Sequence, residues 1–320
     1  MMTEHITSNT AFMFPGQGTQ SVGMGRALVR EFPEARLVFE EADEALGFSL
    51  SKLCFEGPED QLAMTENTQP AILTTSIAAL RVIEARTDFR PCLALGHSLG
   101  EISALVAVGS ISFRDAVCLA RKRGRAMQEA VPSGGAMAAI MGLPLEEVER
   151  LCAAASVEGK IVSPANLNGA NQIVVAGHAA AVEQVADLTH EVIGGRAVML
   201  KVSAPFHCEL MRPAAERLVG HLEEVDIRRM QVPVISCVTA EPISELDRVR
   251  SLLVAQVTSR VRWVEAVRKA MHMGAVHAIE VGNGKVLRGL VRRIDKGFKV
   301  HSFNAPEHLD ALPRFEPNAA

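Results

Sequence analysis

Residues 92–108 read CLALGHSLGEISALVAV, and this stretch decides the fold of the chain. The apolar run at 92–95 predicts a short buried strand, and the apolar run at 102–108 predicts a helix that follows almost at once. Between them, Gly96-His97-Ser98-Leu99-Gly100 matches the Gly-x-Ser-x-Gly pattern of a nucleophile elbow. Glycines on both sides allow a sharp turn that exposes Ser98. We therefore predict a nucleophilic serine, with the Leu99 N–H directed at a developing oxyanion. The strand and helix on either side disfavour the alternative, a purely structural glycine-rich turn.

Outward from this elbow, predicted strands and helices alternate, which favours a mainly parallel sheet. The predicted strands of this part lie at 11–14, 92–95, 233–238 and 278–281, and the predicted helices at 24–46, 69–85, 102–108, 113–130, 252–257 and 264–271. The middle of the chain has the order β-α-β-β-α-β, with strands at 136–141, 161–165, 172–176 and 196–202 and helices at 144–155 and 179–192. That order is typical of a ferredoxin-like unit, so we predict an α/β protein with a small domain inserted in a larger one. We expect the tail from Pro306 to be loose.

Composition excludes several classes of function. The chain of 320 residues has a net charge of -4, which gives no reason to expect nucleic acid as a partner. Its six cysteines form no C-x-x-C pair, so we expect reduced thiols and neither a disulfide scaffold nor a metal site. The start MMTEHITSNT does not have the pattern of a signal peptide, and no apolar run approaches the roughly 18–20 residues that span a membrane. We expect a soluble, cytoplasmic protein.

A serine hydroxyl needs a base to take its proton, and ten histidines are available. His207 is the best candidate, because Ala204-Pro205-Phe206-His207 places it on a rigid proline turn after a predicted strand. His97 adjoins the serine, but we expect its side chain to leave the turn in another direction. For any single histidine, a surface or packing role remains the open alternative.

The helix predicted at 113–130 carries an arginine on its apolar face. Ser112 and Asp115 resemble a capping box at its start. The apolar stripe at helical spacing comprises Ala116, Leu119, Ala120, Met127 and Ala130. Arg123 falls in the middle of this stripe, where an unpaired charge would be very costly. The residues alone leave two interpretations open, a salt bridge with an internal Asp or Glu, or a carboxylate on the substrate.

Several motifs together resemble the malonyl-CoA:acyl carrier protein transacylases of fatty-acid synthesis and the related acyltransferases of polyketide synthases. The matching segments occur in family order and are Phe14-Pro15-Gly16-Gln17-Gly18, Thr68-Gln69-Pro70-Ala71, Gly96-His97-Ser98-Leu99-Gly100-Glu101, Arg123-Gly124, Gly135-Ala136-Met137, Asn166-Leu167-Asn168, Ala176-Gly177, Pro205-Phe206-His207 and Glu280-Val281-Gly282. The resemblance implies an α/β-hydrolase-like large domain over 1–131 and 205–320, with a ferredoxin-like small domain over 132–204. It also implies malonyl-CoA as substrate, an acyl carrier protein as partner and no cofactor. We expect a monomer by default.

The resemblance also implies roles for particular residues. Ser98 would be the nucleophile and His207 its base, in a dyad whose imidazole is oriented by the backbone carbonyl of Gln256. The N–H groups of Gln17 and Leu99 would form the oxyanion hole. The substrate-binding residues would be Arg123, which grips the malonate carboxylate, together with Asn166, Phe206 and His97. Phe206 and Leu99 resemble the malonyl-selective members more than the methylmalonyl-selective ones.

The sequence departs from the family pattern outside the proposed dyad. Thr19 stands where serine is common, Cys237 where asparagine is common, and Arg260 and Asn283 where proline is frequent. Of these, Cys237 is the one expected near the cleft.

Two other classes of function remain alternatives. A serine thioesterase or esterase of α/β-hydrolase type has the same elbow. Two features argue against this class: the sequence offers no convincing acid for a triad, and an arginine lies on an apolar helix face. A non-catalytic subunit that docks carrier proteins would not be labelled at Ser98. For the carrier itself, the basic segment 285–296 is a candidate surface, and a solvated helix face is at least as good an interpretation of it.

Overall fold

The computed structural model describes residues 9–157 and 159–312, and it contains two separate β-sheets. The first is a five-stranded parallel sheet of order β7-β2-β1-β8-β9. Its strands are β1 (Thr10–Phe14), β2 (Leu93–Gly96), β7 (Val234–Ile235), β8 (His277–Val281) and β9 (Lys299–Phe303). The second is a four-stranded antiparallel sheet of order β4-β5-β3-β6. Its strands are β3 (Gly135–Met141), β4 (Val162–Gly169), β5 (Gln172–His178) and β6 (Arg196–Met199). We call the two parts the large lobe and the small lobe.

Helices cover both sheets. In chain order they are α1 (Arg26–Glu31), α2 (Pro33–Leu46), α3 (Leu50–Glu56), α4 (Glu59–Ala63), α5 (Thr65–Arg86), α6 (Leu99–Ala107), α7 (Phe113–Ala130), α8 (Leu145–Ala155), α9 (Ala179–Glu191), α10 (Arg212–Glu223), α11 (Leu246–Thr258), α12 (Trp263–His272) and α13 (Val286–Ile294). None of the helices in the described part of the chain is long and apolar enough to cross a membrane.

The parallel sheet is buried on both faces. Phe12 and Phe14 of β1 face one apolar cluster, and Ala11 and Met13 face another that contains Trp263. Because successive side chains of a strand point to opposite faces, this alternation places helices on both sides of the sheet. A strand that is buried on both faces has a continuously apolar sequence, and such a sequence is easy to recognise. The predicted strands β1 and β2 are confirmed.

The small lobe has the predicted β-α-β-β-α-β order. Its strands β3 and β5 send Ala138, Ile140 and Val175 into a cluster with α8 and α9. The opposite face of the same sheet sends Met137 and Val174 toward the large lobe. A backbone bridge joins the lobes, since the Val261 N–H donates to the Ala165 carbonyl and the Leu167 N–H donates to the Val261 carbonyl, both at 2.8 Å.

The carboxyl ends of β1 and β2 lie side by side, because Phe14 pairs with Gly96. The loop after β1 and the elbow after β2 therefore meet at one edge of the parallel sheet, the edge where ligands bind in open α/β folds. A Cβ on Gly16 would lie 2.3 Å from the His97 carbonyl oxygen, so glycine is required for this contact.

Some predicted elements are wrong in extent. The single helix predicted at 24–46 is two helices, because Pro33 holds Phe32 in an extended conformation with φ −117° and ψ 117°. The strand predicted at 196–202 ends at Met199, and the following residues up to His207 form no regular element. Helix α5 begins at Thr65 rather than at the predicted residue 69.

Other elements were not predicted at all. They are α3, α4, α10 and β9, whereas α13 lies in the segment 285–296, for which a solvated helix face is one of the two interpretations. The tail is not loose over its described part, since Pro306–His308 form a 3₁₀ turn and Leu312 is buried. The rest of the tail, 313–320, lies outside the described residues.

Candidate active site

Ser98 occupies a strained turn between β2 and α6. Its φ of 52° lies in the left-handed region, which is rare for a residue with a side chain. The turn closes tightly, since a Cβ on Gly96 would lie 1.9 Å from the carbonyl carbon of Gly100. A Cβ on Gly100 would lie 2.0 Å from the Phe14 carbonyl oxygen. Both glycines are therefore required by backbone contacts, and these contacts fix the position of Ser98.

His207 lies within hydrogen-bonding distance of Ser98. Its Nε2 is 2.8 Å from Ser98 Oγ, and its Nδ1 is 2.8 Å from the backbone carbonyl oxygen of Gln256. A carbonyl only accepts, so Nδ1 carries the proton and Nε2 is left to accept the proton of Ser98. Burial, together with the positive charge of Arg123, lowers the pKa of His207 to about 3. The imidazole is therefore neutral near pH 7 and has the protonation state of a general base.

The carbonyl that orients His207 belongs to a helix end. Gln256 lies in the last turn of α11, where carbonyl groups have no partner within the helix. Its carbonyl is thus free to accept from the imidazole. Glu101, in the first turn of α6, is fully buried but accepts a hydrogen bond of 2.7 Å from the Cys237 N–H, and His207 Nδ1 contacts the Gln256 carbonyl oxygen instead. Desolvation raises the pKa of this carboxyl group.

Arg123 is buried next to the dyad, with 2% of its surface exposed. One terminal nitrogen, Nη1, donates to Gln69 Oε1 at 2.8 Å, and the other, Nη2, donates to Gln256 Oε1 at 2.8 Å and to Ser98 Oγ at 3.2 Å. Helix α7 can approach α5 here because residue 124 is glycine. A Cβ added at this position would lie 2.5 Å from the Thr65 carbonyl oxygen.

No carboxylate of the described residues lies within ion-pairing distance of Arg123. The acidic residue in the first turn of α5, Glu66, pairs instead with Arg121 at 3.4 Å and Arg125 at 3.2 Å. Desolvation lowers the pKa of Arg123 to about 10, so the group remains charged at neutral pH. The structure therefore shows a buried cation held by two neutral amide oxygens, and it does not show the salt bridge that the sequence left open.

A cavity of about 360 Å³ lies between the two lobes, directly over Ser98. Eight of the nine predicted site residues line it: Gln17, His97, Ser98, Leu99, Arg123, Asn166, Phe206 and His207. The ninth, Gln256, is fully buried behind the cavity and acts through its carbonyl and its side-chain amide. Small-lobe side chains form the opposite wall, among them Met137 and Val174.

His97 points away from the dyad. Its Nε2 lies 2.9 Å from Asn168 Oδ1, and its ring lies 5.6 Å from that of Trp263. Burial lowers its pKa, which favours the neutral imidazole. Of the departures from the family pattern, Cys237 is buried behind the elbow and is not among the residues that line the cavity. Desolvation raises the pKa of its thiol well above the ordinary value, so this thiol is not a competing nucleophile.

Sequence reasoning missed the residues that hold the arginine. Gln69 and the side chain of Gln256 are both buried, at 2% and 0% exposed, and both face Arg123. The signal that could have found them is a long amide within an otherwise buried helix, since such a group needs a polar partner. Within residues 9–157 and 159–312, no group of three or more His, Cys, Asp or Glu side chains could hold a metal ion.

The chain is similar to known acyltransferases over nearly its whole length. A family model described as "Acyl transferase domain" matches residues 11–303. A malonyl CoA-acyl carrier protein transacylase of Bacillus subtilis is 46% identical, covering 95% of this chain and 96% of the relative. One of Escherichia coli is 43% identical, covering 94% of this chain and 97% of the relative.

Solved structures of malonyl transacylases also resemble this chain over nearly its whole length. A malonyl-CoA:acyl carrier protein transacylase of Xanthomonas oryzae superposes with a TM-score of 0.93 at 41% identity, covering 96% of this chain and 100% of the other. A malonyl-transacylase solved in complex with a type II PKS acyl-carrier protein gives a TM-score of 0.92 at 41% identity, covering 95% of this chain and 98% of the other. The chain therefore belongs to the acyl transferase domain family.

Proposed function

We propose that this enzyme transfers a malonyl group from malonyl-CoA to the phosphopantetheine thiol of an acyl carrier protein. The observation that carries the proposal is the buried guanidinium of Arg123, 3.2 Å from Ser98 Oγ and without a carboxylate partner among the described residues. A free carboxylate on the acyl group would complete this site. The names of the relatives support the same donor and acceptor.

We also propose a more detailed description of the fold. The large lobe would be an α/β-hydrolase-like domain over 1–131 and 205–320, and the small lobe a ferredoxin-like insert over 132–204. The sheet order β4-β5-β3-β6 supports the insert, because a ferredoxin-like unit places its first and third strands in the middle of the sheet.

In the first step, malonyl-CoA binds with its carboxylate on Arg123. The Ser98 proton moves to His207 Nε2 as Ser98 Oγ bonds to the thioester carbonyl carbon. The tetrahedral intermediate then collapses, its carbon–sulfur bond breaks, and the departing thiolate takes the proton from His207. The products are free coenzyme A and a malonyl ester of Ser98.

In the second step, the phosphopantetheine thiol of the carrier enters the same cavity. His207 takes the thiol proton as the sulfur bonds to the ester carbonyl carbon. The bond to Ser98 Oγ breaks, and His207 returns the proton to that oxygen. The enzyme is regenerated and the carrier leaves with a malonyl thioester.

The oxyanion of both steps would accept hydrogen bonds from the N–H groups of Gln17 and Leu99. Leu99 begins α6, so its N–H has no partner within the helix and the helix dipole favours negative charge there. Each donor of this kind is worth roughly 3–4 kcal/mol in the transition state. Asn166, Phe206 and His97 would shape the walls around the acyl group, and Phe206 would crowd an α-methyl, which changes binding by only about 1–3 kcal/mol.

One experiment separates this function from a thioesterase. Purified enzyme is mixed with malonyl-CoA, with and without a phosphopantetheinylated carrier protein, and the masses of carrier and free malonate are followed. We expect multiple turnovers only with the carrier, which gains one malonyl group. Equal turnover without the carrier would identify a hydrolase, and no release of coenzyme A in either case would contradict an enzymatic role.

Three further points stay predictions. They are the cytoplasmic location, the monomeric state, and the use of the basic segment 285–296 by the carrier. On that segment, Arg288, Arg292 and Arg293 of α13 are exposed, and Arg293 also donates to Gln172.

A further inference from the structure

Thr65, the first residue of α5, contacts the loops on two sides of the cleft. Its side chain is fully buried. The side-chain amide Nε2 of Gln17 donates to Thr65 Oγ1 at 3.2 Å. The same hydroxyl oxygen lies 2.5 Å from Ser203 Oγ. One hydroxyl group thus joins the loop after β1 to the segment that leads to His207.

The hydrogen-bonding capacity of this hydroxyl matches the two contacts. The Gln17 amide nitrogen can only donate, so Thr65 Oγ1 accepts there. The single proton of Thr65 is then available for Ser203 Oγ. Thr65→Val keeps the shape of the side chain but breaks both contacts, whereas Thr65→Ser keeps the hydroxyl.

Of the two neighbours of Thr65, Gln17 belongs to the proposed machinery and Ser203 lies in the segment that leads to it. Gln17 offers its backbone N–H to the oxyanion, and Ser203 precedes His207 by four residues in a segment without regular secondary structure. The Thr65 carbonyl oxygen also packs against Gly124, next to Arg123. Gln17 and Ser203 both line the cavity.

We propose that Thr65 is a positioning residue that fixes the Gln17 N–H and the segment 203–207 relative to Ser98. The inference rests on the proposed function, because it assigns Thr65 an effect on the acylation of Ser98. Thr65 is not among the residues that line the cavity, so it would act only through Gln17 and Ser203. Loss of the Thr65 hydroxyl should therefore reduce the stabilisation of the acylation transition state and leave the binding of malonyl-CoA nearly unchanged.

The size of the effect distinguishes this role from ordinary packing. Complete removal of one oxyanion donor costs about 10²–10³-fold in rate. The Thr65→Val variant keeps the Gln17 N–H but releases the side chain that holds it, so we expect about a 10- to 100-fold slower acylation. The Thr65→Ser variant should stay within about threefold of the wild-type rate.

The test is rapid-quench acylation with malonyl-CoA, with the burst amplitude counting active enzyme. The matched control is Thr189→Val on α9, where a buried threonine hydroxyl donates to the Val185 carbonyl at 2.7 Å, far from the cleft in the small lobe. We expect Thr65→Val to keep a full burst amplitude and KM but to slow the burst, and the control to keep the wild-type burst rate. A wild-type rate in Thr65→Val, or loss of amplitude alone, would overturn the proposal.

A second variant keeps the proposal testable even where Thr65→Val does not fold. Gln17→Ala retains the backbone N–H and removes only the side chain that contacts Thr65. We expect it to slow acylation, but by no more than Thr65→Val, which also loses the contact with Ser203, and we expect the double variant to be no slower than Thr65→Val alone. Full additivity, or an unaffected Gln17→Ala, would contradict the inference. The absence of a burst in the wild-type enzyme would contradict the proposed function instead.

Discussion

Ser98 and His207 lie 2.8 Å apart, but the chain positions the two side chains by different means. Ser98 follows a fully buried central strand, and its turn is closed by backbone contacts at Gly96 and Gly100 that leave no space for a side chain. His207 follows a stretch without regular secondary structure, in which Lys201, Val202 and Ser203 are exposed. The nucleophile is positioned by steric contacts of the backbone.

The base is positioned by hydrogen bonds and by a left-handed backbone conformation at His207 itself. His207 has a φ of 62°, and its ring is held by the Gln256 carbonyl. The neighbouring Cys208 thiol donates to the Pro205 carbonyl at 3.1 Å. The serine half of the site therefore depends on the core of the large lobe, whereas the histidine half depends on a few polar contacts. Substitutions on the two sides should therefore fail in different ways.

The largest effect is expected on the histidine side. His207→Ala should leave the fold intact, because it removes a ring that is held by hydrogen bonds to Ser98 and the Gln256 carbonyl. Acylation of Ser98 should slow by roughly 10⁴-fold or more, since the serine loses its base. Stopped-flow measurement of coenzyme A release gives the rate, and thermal melting checks the fold. A variant that retains a tenth of the activity would show that another group takes the proton.

The next largest effect is expected at Arg123, whose guanidinium contacts both Ser98 and the Gln256 side chain. Arg123→Ala should slow malonyl transfer by about 10²–10³-fold, because the substrate carboxylate loses its charged partner. Acetyl transfer should change much less, so the preference for malonyl-CoA should narrow. Parallel kcat/KM values for malonyl-CoA and acetyl-CoA measure this preference. An unchanged ratio between the two substrates would make Arg123 a structural residue only.

A smaller effect, on stability, is expected on the serine side. Gly100→Ala forces a Cβ to within 2.0 Å of the Phe14 carbonyl oxygen, which should destabilise the protein by about 3 kcal/mol or more. The matched control is Gly220→Ala on α10, where a Cβ meets nothing within 4 Å. This control should stabilise by about 0.5–1 kcal/mol. Urea unfolding measures both, and equal stabilities for the two variants would contradict the steric account of the elbow.

The smallest effect is a shift of the pH profile. Burial and Arg123 depress the pKa of His207 to about 3, so the folded enzyme keeps the neutral base well below the ordinary histidine value of 6.5. We expect kcat/KM for acylation to stay flat from about pH 8 to pH 5 and to fall only at lower pH. In Arg123→Ala the pKa should rise, because a repelling charge is gone, and the acid limb should move to higher pH. A wild-type midpoint near pH 6.5 would contradict the environment described for His207.

The same contrast explains how much the sequence could predict. Ser98 was identifiable because a turn closed by backbone contacts needs glycines at fixed local spacing. The α7 helix and its buried arginine were predictable from helical periodicity, and the structure has this helix at Phe113–Ala130 as predicted. Chemistry alone made His207 only the best candidate among ten histidines and left a surface or packing role open, since its partner lies 109 residues away in sequence.

What remained beyond the sequence depends on long-range contacts. The break between α1 and α2 was readable at Pro33, but the end of β6 at Met199 was not, because residues 200–202 continue the same apolar and basic pattern. The roles of Gln69 and of the Gln256 side chain emerge only when α5, α7 and α11 come together around Arg123. Family resemblance supplied the choice of His207 and of the Gln256 carbonyl, and the geometry now gives each a physical reason.

The most direct test of the central claim is to locate the acyl group. The enzyme is incubated with malonyl-CoA alone, its intact mass is measured, and the modified peptide is sequenced by tandem mass spectrometry. We expect one malonyl group per chain, esterified to Ser98 and absent in Ser98→Ala. An enzyme that releases coenzyme A without any adduct, or that carries the malonyl group on another residue, would contradict this claim.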